Sequence, residues 1–165
     1  SEQAYWFDGL DVPLTHLLEP MFFEEHPEGW EKVETVVEKS PMRFAWADTL
    51  AALDKAPADT TGHFGTTITL PAPTMPTITL KVHKWASGWR NRPYRRVANT
   101  VYVVMQGSGS SRIGTSRFDW SYGDTIAAPA WNRIEHHAAA DTIMFSMSDE
   151  NLMKWSHYYR IEALA

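Results

Sequence analysis

The chain has 165 residues, of which 44% are hydrophobic and 21% charged, and this size and composition predict one globular domain. Its 15 lysine and arginine residues face 20 aspartate and glutamate residues, and the formal charge of -5 argues against nucleic acid as a partner. Because the sequence has no apolar run long enough for a bilayer and no cysteine, we expect a cytoplasmic protein without membrane contact or disulfides, whose candidate metal ligands are His, Asp and Glu.

An apolar stripe at helical spacing predicts a helix near the N-terminus. It follows a turn-rich entry at residues 8–13, and its members are Leu14, Leu17, Leu18, Met21 and Phe22. Pro20 lies near its end, where a proline stops or kinks a helix. A second, short helix is predicted over residues 50–53, with Thr49 as its cap and Pro57 beyond its end.

From residue 66 onward the chain consists of short β-branched or aromatic runs separated by proline and glycine. Seven strands are predicted, at residues 66–70, 77–85, 100–105, 110–113, 117–120, 125–128 and 142–148. Strands at this close spacing indicate a sandwich or a barrel. The tail, residues 151–165, carries apolar residues at near-helical intervals and is predicted to be a helix packed on the barrel.

Glycine and proline turns in residues 95–148 carry the first resemblance to a known family. The turns are Gly107-Ser108-Gly109, Gly123-Asp124 and Pro129-Ala130-Trp131. They resemble the two motifs of the cupin superfamily, in which a pair of His before the first turn and a third His after the proline hold a divalent metal. In this sequence those positions fall around Tyr94 to Arg96 and at Ile134. Because Ile cannot ligate a metal and Arg is a fixed cation, we expect no metal there.

A closer resemblance covers nearly the whole chain. Residues 6–14, WFDGLDVPL, resemble the segment that joins the two cupins of the bicupin ring-cleaving dioxygenases, the gentisate 1,2-dioxygenase family with its salicylate and 1-hydroxy-2-naphthoate relatives. Residues 22–24 continue this resemblance to the joining segment. Further short segments resemble the second barrel of that family, and they are residues 74–77, 93–95, 100–102 and 145–149. The resemblance implies a mainly β fold: a cupin double-stranded β-helix, or jelly-roll barrel, with an N-terminal helical arm and a C-terminal helix.

The resemblance also implies a function for the complete protein. Such enzymes use Fe(II) and O2 to cleave a hydroxybenzoate ring of the gentisate or salicylate type, with the iron on three His of the N-terminal cupin. This chain corresponds to the C-terminal cupin, so we expect it to carry no cofactor, to be inactive alone, and to brace the catalytic barrel in a homo-oligomer, by resemblance a tetramer. We divide it into an inter-cupin arm and helical segment at residues 1–62, a barrel at 63–150, and a C-terminal helix at 151–165.

Few site residues of the family have a match in this sequence. Asp8 matches an acidic residue of the joining segment that lies near the substrate pocket in the family, and it is the one substrate-binding candidate; the alternative is a turn or capping residue. Asp11 is interpreted as the helix cap. We predict no catalytic and no metal-binding residue in this chain.

Two clusters leave alternatives open. His83 with His136 or His137 could hold a metal, but hydrogen-bonded or exposed histidines are the favoured interpretation. Arginines at positions 90, 92, 95 and 96 could bind a carboxylate, contact a neighbouring subunit or form a solvated loop. The alternative function is a freestanding, non-catalytic cupin that binds a small ligand; a cupin isomerase or epimerase would need acid–base groups that Ile134 does not supply.

Overall fold

The computed structural model describes residues 6–37 and 40–165. The chain forms two compact units, Ser1–Ser40 and Pro41–Ala165. Residues 1–5, 38 and 39 of the predicted arm lie outside the described residues. Within the described part, no helix is both long and apolar enough to span a membrane. The functional boundaries at residues 62 and 150 stay predictions.

The first unit contains one short helix, α1 (Val12–Leu18), with Pro13 in its first turn. The predicted helix through Phe22 therefore ends early. Glu19 closes it in the left-handed conformation, with φ of 48°. Pro20 explains the end, because proline has no N–H to donate and disfavours helical backbone in the residue before it. None of the α1 residues is buried within the structure.

The second unit begins with α2 (Trp46–Lys55), which starts before the predicted cap. Thr49 lies inside this helix, where its hydroxyl donates to the Ala45 carbonyl at 3.0 Å, so its assignment as the cap is wrong. The helix lies on the outer face of a sheet. There Leu53, which is 1% exposed, clusters with Val82 and Ile143 and fixes the helix by apolar burial.

Ten strands form two five-stranded antiparallel sheets, which confirms the mainly β, jelly-roll cupin fold. One sheet has the order β1-β2-β9-β4-β7, and the other has the order β10-β3-β8-β5-β6. The strands are β1 (Thr66–Leu70), β2 (Thr79–Trp85), β3 (Tyr94–Arg96), β4 (Thr100–Gln106), β5 (Ser108–Ile113), β6 (Ser116–Ser121), β7 (Thr125–Ala128), β8 (Ile134–Ala138), β9 (Thr142–Ser148) and β10 (Ile161–Ala163). All seven predicted strands are present, and β3, β8 and β10 were not predicted.

The C-terminal tail is helical over a shorter range than predicted. Helix α3 covers Glu150–Trp155, and the chain then turns at His157, whose φ is 60°. The last element is β10, which pairs with β3 along Ile161–Ala163. The helical prediction is therefore wrong beyond Trp155, since pairing with the free edge of β3 satisfies the backbone groups that a helix would have used.

The main core lies between the two sheets and is rich in aromatic side chains. Its buried members include Trp85, Tyr94, Tyr102, Trp120, Ile134 and Met144. Trp85 stacks on Trp89, with ring centroids 4.7 Å apart and planes 15° apart, and on His136 at 5.0 Å. Gly107 makes the turn from β4 to β5 at φ of 91°, where a Cβ would approach the Asp141 carbonyl oxygen within 2.5 Å. The turn therefore requires glycine.

Candidate functional site

The barrel interior contains the three positions at which the cupin motifs would place metal ligands. Tyr94 and Arg96 are on β3, where side chains alternate inward and outward, and Ile134 is on β8. Tyr94 and Ile134 face each other in the strand register. They are 1% exposed and Arg96 is 2% exposed, so all three are buried in the interior. The Tyr94 hydroxyl lies 3.2 Å from the Tyr102 hydroxyl, and burial raises the pKa of Tyr94 well above its usual value.

Arg96 is held by a buried acid. Its Nη1 donates to Glu150 at 2.8 Å and its Nη2 to the Thr100 hydroxyl at 2.8 Å. Glu150 also accepts from Lys81 and from Lys154, each at 2.6 Å. Burial would raise the pKa of Glu150, but Lys81, Lys154 and Arg96 outweigh it and hold that pKa at about 2. Burial likewise opposes charge on Arg96, yet Tyr102, Tyr94 and Glu150 raise its pKa, so the guanidinium stays charged.

These residues do not fit an iron ion. A catalytic metal in a protein takes neutral imidazoles or carboxylates and needs open positions. The positions here hold a phenol, a guanidinium and an aliphatic side chain, and the guanidinium is a fixed positive charge. Across residues 6–37 and 40–165, no group of three or more His, Cys, Asp or Glu is placed to hold a metal ion.

His83 is a hydrogen-bonded structural residue in the interior. Its Nδ1 lies 2.8 Å from the Thr67 hydroxyl, and its Nε2 lies 2.8 Å from the Ser146 hydroxyl. Thr67 donates its own proton to the Phe64 carbonyl, so the consistent assignment places the imidazole proton on Nδ1, with Ser146 donating to Nε2. Burial, with a smaller contribution from Lys81 and Arg96, lowers the pKa of His83 to about 3. Both ring nitrogens are thus used.

His136 is also held neutral inside the barrel. Its Nδ1 lies 2.7 Å from the Ser111 hydroxyl, which accepts from Trp120 Nε1 at 2.9 Å. The hydroxyl proton is then available for Nδ1, which leaves the imidazole proton on Nε2. That buried atom has no hydrogen-bond partner, and its ring meets Tyr102 edge-on at 4.9 Å. Burial, then Arg96, lowers the pKa of His136 to about 3.

The histidine metal site considered from the sequence does not form. His83 and His136 point into the barrel, whereas His137 is the next residue along β8 and lines a groove on the outer face. The ring nitrogens of His83 and Nδ1 of His136 are already engaged by hydroxyl groups. The favoured interpretation, hydrogen-bonded histidines, describes His83 and His136.

The arginine cluster is divided by the fold. Arg96 is buried, as described, whereas Arg95 on the same strand points outward, pairs with Glu162 at 2.9 Å and lies over the Trp131 ring at 4.6 Å. Arg90 is exposed and lines the outer groove. The four residues therefore do not converge on one carboxylate.

The first unit contains the predicted substrate residue. Asp8 is exposed in the stretch before α1. Asp11 takes the N-cap position of α1, as predicted, and its backbone carbonyl accepts from the Leu14 and Thr15 amides, although its side chain makes no capping hydrogen bond. Its capping role is therefore carried by backbone geometry.

Sequence reasoning missed Glu150, which organises the cations of the interior. Its partners Arg96 and Lys81 lie 54 and 69 residues away in sequence, and only Lys154 is a helical neighbour. The sequence contained one signal of this cluster, the i, i+4 spacing of Glu150 and Lys154. On its own, that spacing indicates an ordinary exposed ion pair on a helix.

Comparisons with known proteins relate the chain to aromatic-acid dioxygenases. No protein-family model matches it. The 5-aminosalicylate 1,2-dioxygenase of Comamonas sp. is 29% identical, over the whole chain and 52% of that protein. Gentisate 1,2 dioxygenase 1 of Aquipseudomonas alcaligenes is 28% identical, over 87% of the chain and 50% of that protein. A crystal structure of the salicylate 1,2-dioxygenase from Pseudaminobacter salicylatoxidans matches with a TM-score of 0.73 at 21% identity, over 93% of the chain and 53% of that structure.

The fold and these matches define the class of protein, a cupin barrel. The resemblance to a cupin domain of the gentisate 1,2-dioxygenase family is confirmed, since the sequence similarity runs along the entire chain. The chain spans about half the length of the curated relatives it matches.

The two buried histidines predict how stability depends on pH. An unfolded imidazole titrates near pH ~6.5, whereas the pKa values of His83 and His136 in the barrel are about 3. As the pH falls through this window, the two imidazoles become protonated in the unfolded chain but stay neutral in the folded chain. The free energy of unfolding should therefore fall, by up to about 1.4 kcal/mol per pH unit for each histidine. Urea unfolding at a series of pH values measures this slope. His136→Gln should flatten it and the exposed His16→Gln should not; equal slopes in both variants contradict the assignment.

Glu150 should be far more important for stability than an exposed acid. Glu150→Gln leaves Arg96 and Lys81 without their counter-charge, and breaking a buried ion pair costs about 3–5 kcal/mol. The matched control is Glu162→Gln, which removes an exposed partner of Arg95 and should cost less than about 1 kcal/mol. Urea unfolding near neutral pH compares the two, and similar losses would show that the Glu150 cluster does not hold the barrel.

Proposed function

We propose that this chain is the metal-free C-terminal cupin of a gentisate 1,2-dioxygenase-like enzyme. In the complete protein, Fe(II) bound by an N-terminal cupin would use O2 to cleave the ring of an aromatic hydroxy acid of the gentisate or salicylate type. The observation that carries the proposal is the set of side chains at the ligand positions, Tyr94, Arg96 and Ile134, in a barrel that resembles such enzymes over half their length. The reaction then depends on iron held elsewhere in the polypeptide.

The role proposed for this half is assembly and support of the catalytic barrel in a cytoplasmic homo-oligomer. Exposed apolar side chains of the first unit support this role. Trp6 and Phe23 are each 89% exposed and Val36 is 90% exposed. Large apolar surface left exposed on a protein often marks an interaction site. An N-terminal cupin and further copies of the protein, in a tetramer by resemblance, would supply that cover.

Assays of the isolated chain test whether the reaction depends on iron that is bound elsewhere in the polypeptide. Purified and incubated with Fe(II), it should retain no stoichiometric iron and should consume no O2 with gentisate or salicylate. The complete polypeptide should retain iron and should consume O2 with these substrates. Iron analysis after desalting and an oxygen electrode provide the measurements, and a cooperative thermal transition shows that the chain is folded. Appreciable ring cleavage by the folded chain would overturn the proposal. A parent gene that encodes no second barrel with a His-x-His pair would instead favour the freestanding ligand-binding cupin.

Asp8 is proposed to contribute to the substrate pocket from the arm. Its exposure leaves the carboxylate available to a neighbouring barrel. In the complete enzyme, Asp8→Asn should lower kcat/KM for the aromatic acid by about tenfold, the size expected when a hydrogen bond to a charged group is lost. Glu25→Gln is the matched control, because Glu25 is an exposed acid of the same unit. Steady-state kinetics compare the two variants, and equal kcat/KM values for Asp8→Asn and the unmodified enzyme would remove Asp8 from the site.

A further inference from the structure

A groove on the outer face of the barrel is lined by three arginines. It lies on the sheet that contains β8, β5 and β6, has a volume of about 280 Å³, and includes Arg90, Arg112 and Arg117 among its lining residues. All three side chains are exposed. Ser110 and His137 are the polar side chains between them. The arginine side chains lie on the outer face of the sheet, because β-strand side chains alternate between the two faces. Ser111 and His136, which belong to the barrel interior, also line the groove, so the groove adjoins that interior.

The strand register places two of the positive charges side by side. Arg112 on β5 is directly opposite Arg117 on β6, and like charges in that position destabilise a sheet. His137 is opposite Ser110, and Arg90 forms an isolated bridge to His137. The three guanidinium groups therefore lie around one concave area that is a few strand spacings wide.

Acidic side chains of the described residues neutralise this groove only in part. Arg117 contacts Asp119 at 3.2 Å, but both side chains are mostly exposed, where such a pair contributes little. Glu135 on β8 is directly opposite Arg112 in the strand register, but its carboxylate accepts from Arg133. Within residues 6–37 and 40–165, Arg90 and Arg112 form no ion pair. The unit Pro41–Ala165 as a whole has 13 lysine and arginine residues against 10 aspartate and glutamate residues, so it is also positive overall.

We propose that this groove binds a small oxyanion that carries at least two negative charges. Guanidinium groups bind the oxygen atoms of phosphates and carboxylates through paired, charge-assisted N–H donors. An anion between Arg112 and Arg117 would turn their mutual repulsion into two favourable contacts, and Arg90 would close the third side. Phosphate groups and dicarboxylates share this chemistry. The proposal does not depend on the iron assignment, because it concerns only the outer face of this barrel.

Calorimetric titration of the folded 165-residue chain with inorganic phosphate and with malonate, each in chloride of matched ionic strength, tests the site. At least one of the two should bind and raise the Tm beyond the effect of chloride. Arg112→Gln should weaken that binding by about tenfold or more, as expected for a lost hydrogen bond to a charged group. Arg160→Gln is the matched control, since Arg160 is exposed and lies outside the groove. Binding of phosphate alone identifies a phosphate-group ligand, and binding of malonate alone identifies a dicarboxylate.

A second readout separates a site from general surface charge. In low-salt buffer, phosphate or malonate should raise the Tm of the unmodified chain and should no longer raise the Tm of Arg112→Gln. Arg160→Gln should keep the rise seen in the unmodified chain. The proposal is overturned if neither anion binds and raises the Tm beyond the effect of chloride, or if the two variants respond alike to the anions. These outcomes leave the assignment of the chain as a dioxygenase half untouched.

Discussion

The ion pair between Arg96 and Glu150 is the interaction on which the interior of this barrel depends. A permanent cation is buried where the family motifs would place an imidazole, and it is kept there by a carboxylate that also binds Lys81 and Lys154. Removing a charge from water is costly unless the charge is paired and hydrogen-bonded. The barrel therefore favours one arrangement of side chains over an open coordination site, which is the physical basis for proposing a supporting role.

The remaining polar groups of the interior must also be hydrogen-bonded, because they too are removed from water. His83 and His136 are neutral and bonded to hydroxyl groups, so they add polarity without charge. Ser111 connects His136 to Trp120 within one sheet, whereas the contact between the Tyr94 and Tyr102 hydroxyls links strands of the two sheets. A histidine inside a cupin barrel is thus not by itself evidence of a metal site. Whether it is available to a metal depends on the hydrogen-bonding partners of its ring nitrogens.

Sequence reasoning found the elements with strong apolar or β-branched patterns, and it mapped the ligand positions of the cupin motifs to the residues around Tyr94 to Arg96 and to Ile134, but it did not predict that Arg96 is buried. It missed β3 and β8, whose sequences YRR and IEHHA contain too many charged and histidine residues to resemble strands. Only sheet pairing reveals that their polar side chains alternate between an interior and an outer face. Glu150 was missed for a related reason, since its partners are distant in sequence and meet only when the two sheets close.

The stacking of Trp85 on Trp89 gives the barrel a spectroscopic signature. Two indoles 4.7 Å apart and nearly parallel couple their electronic transitions, which produces a circular dichroism band that neither ring has alone. Trp85 belongs to one sheet and its other stacking partner, His136, belongs to the opposite sheet. The band therefore reports how this indole pair packs against the core, and it can be followed without any added dye.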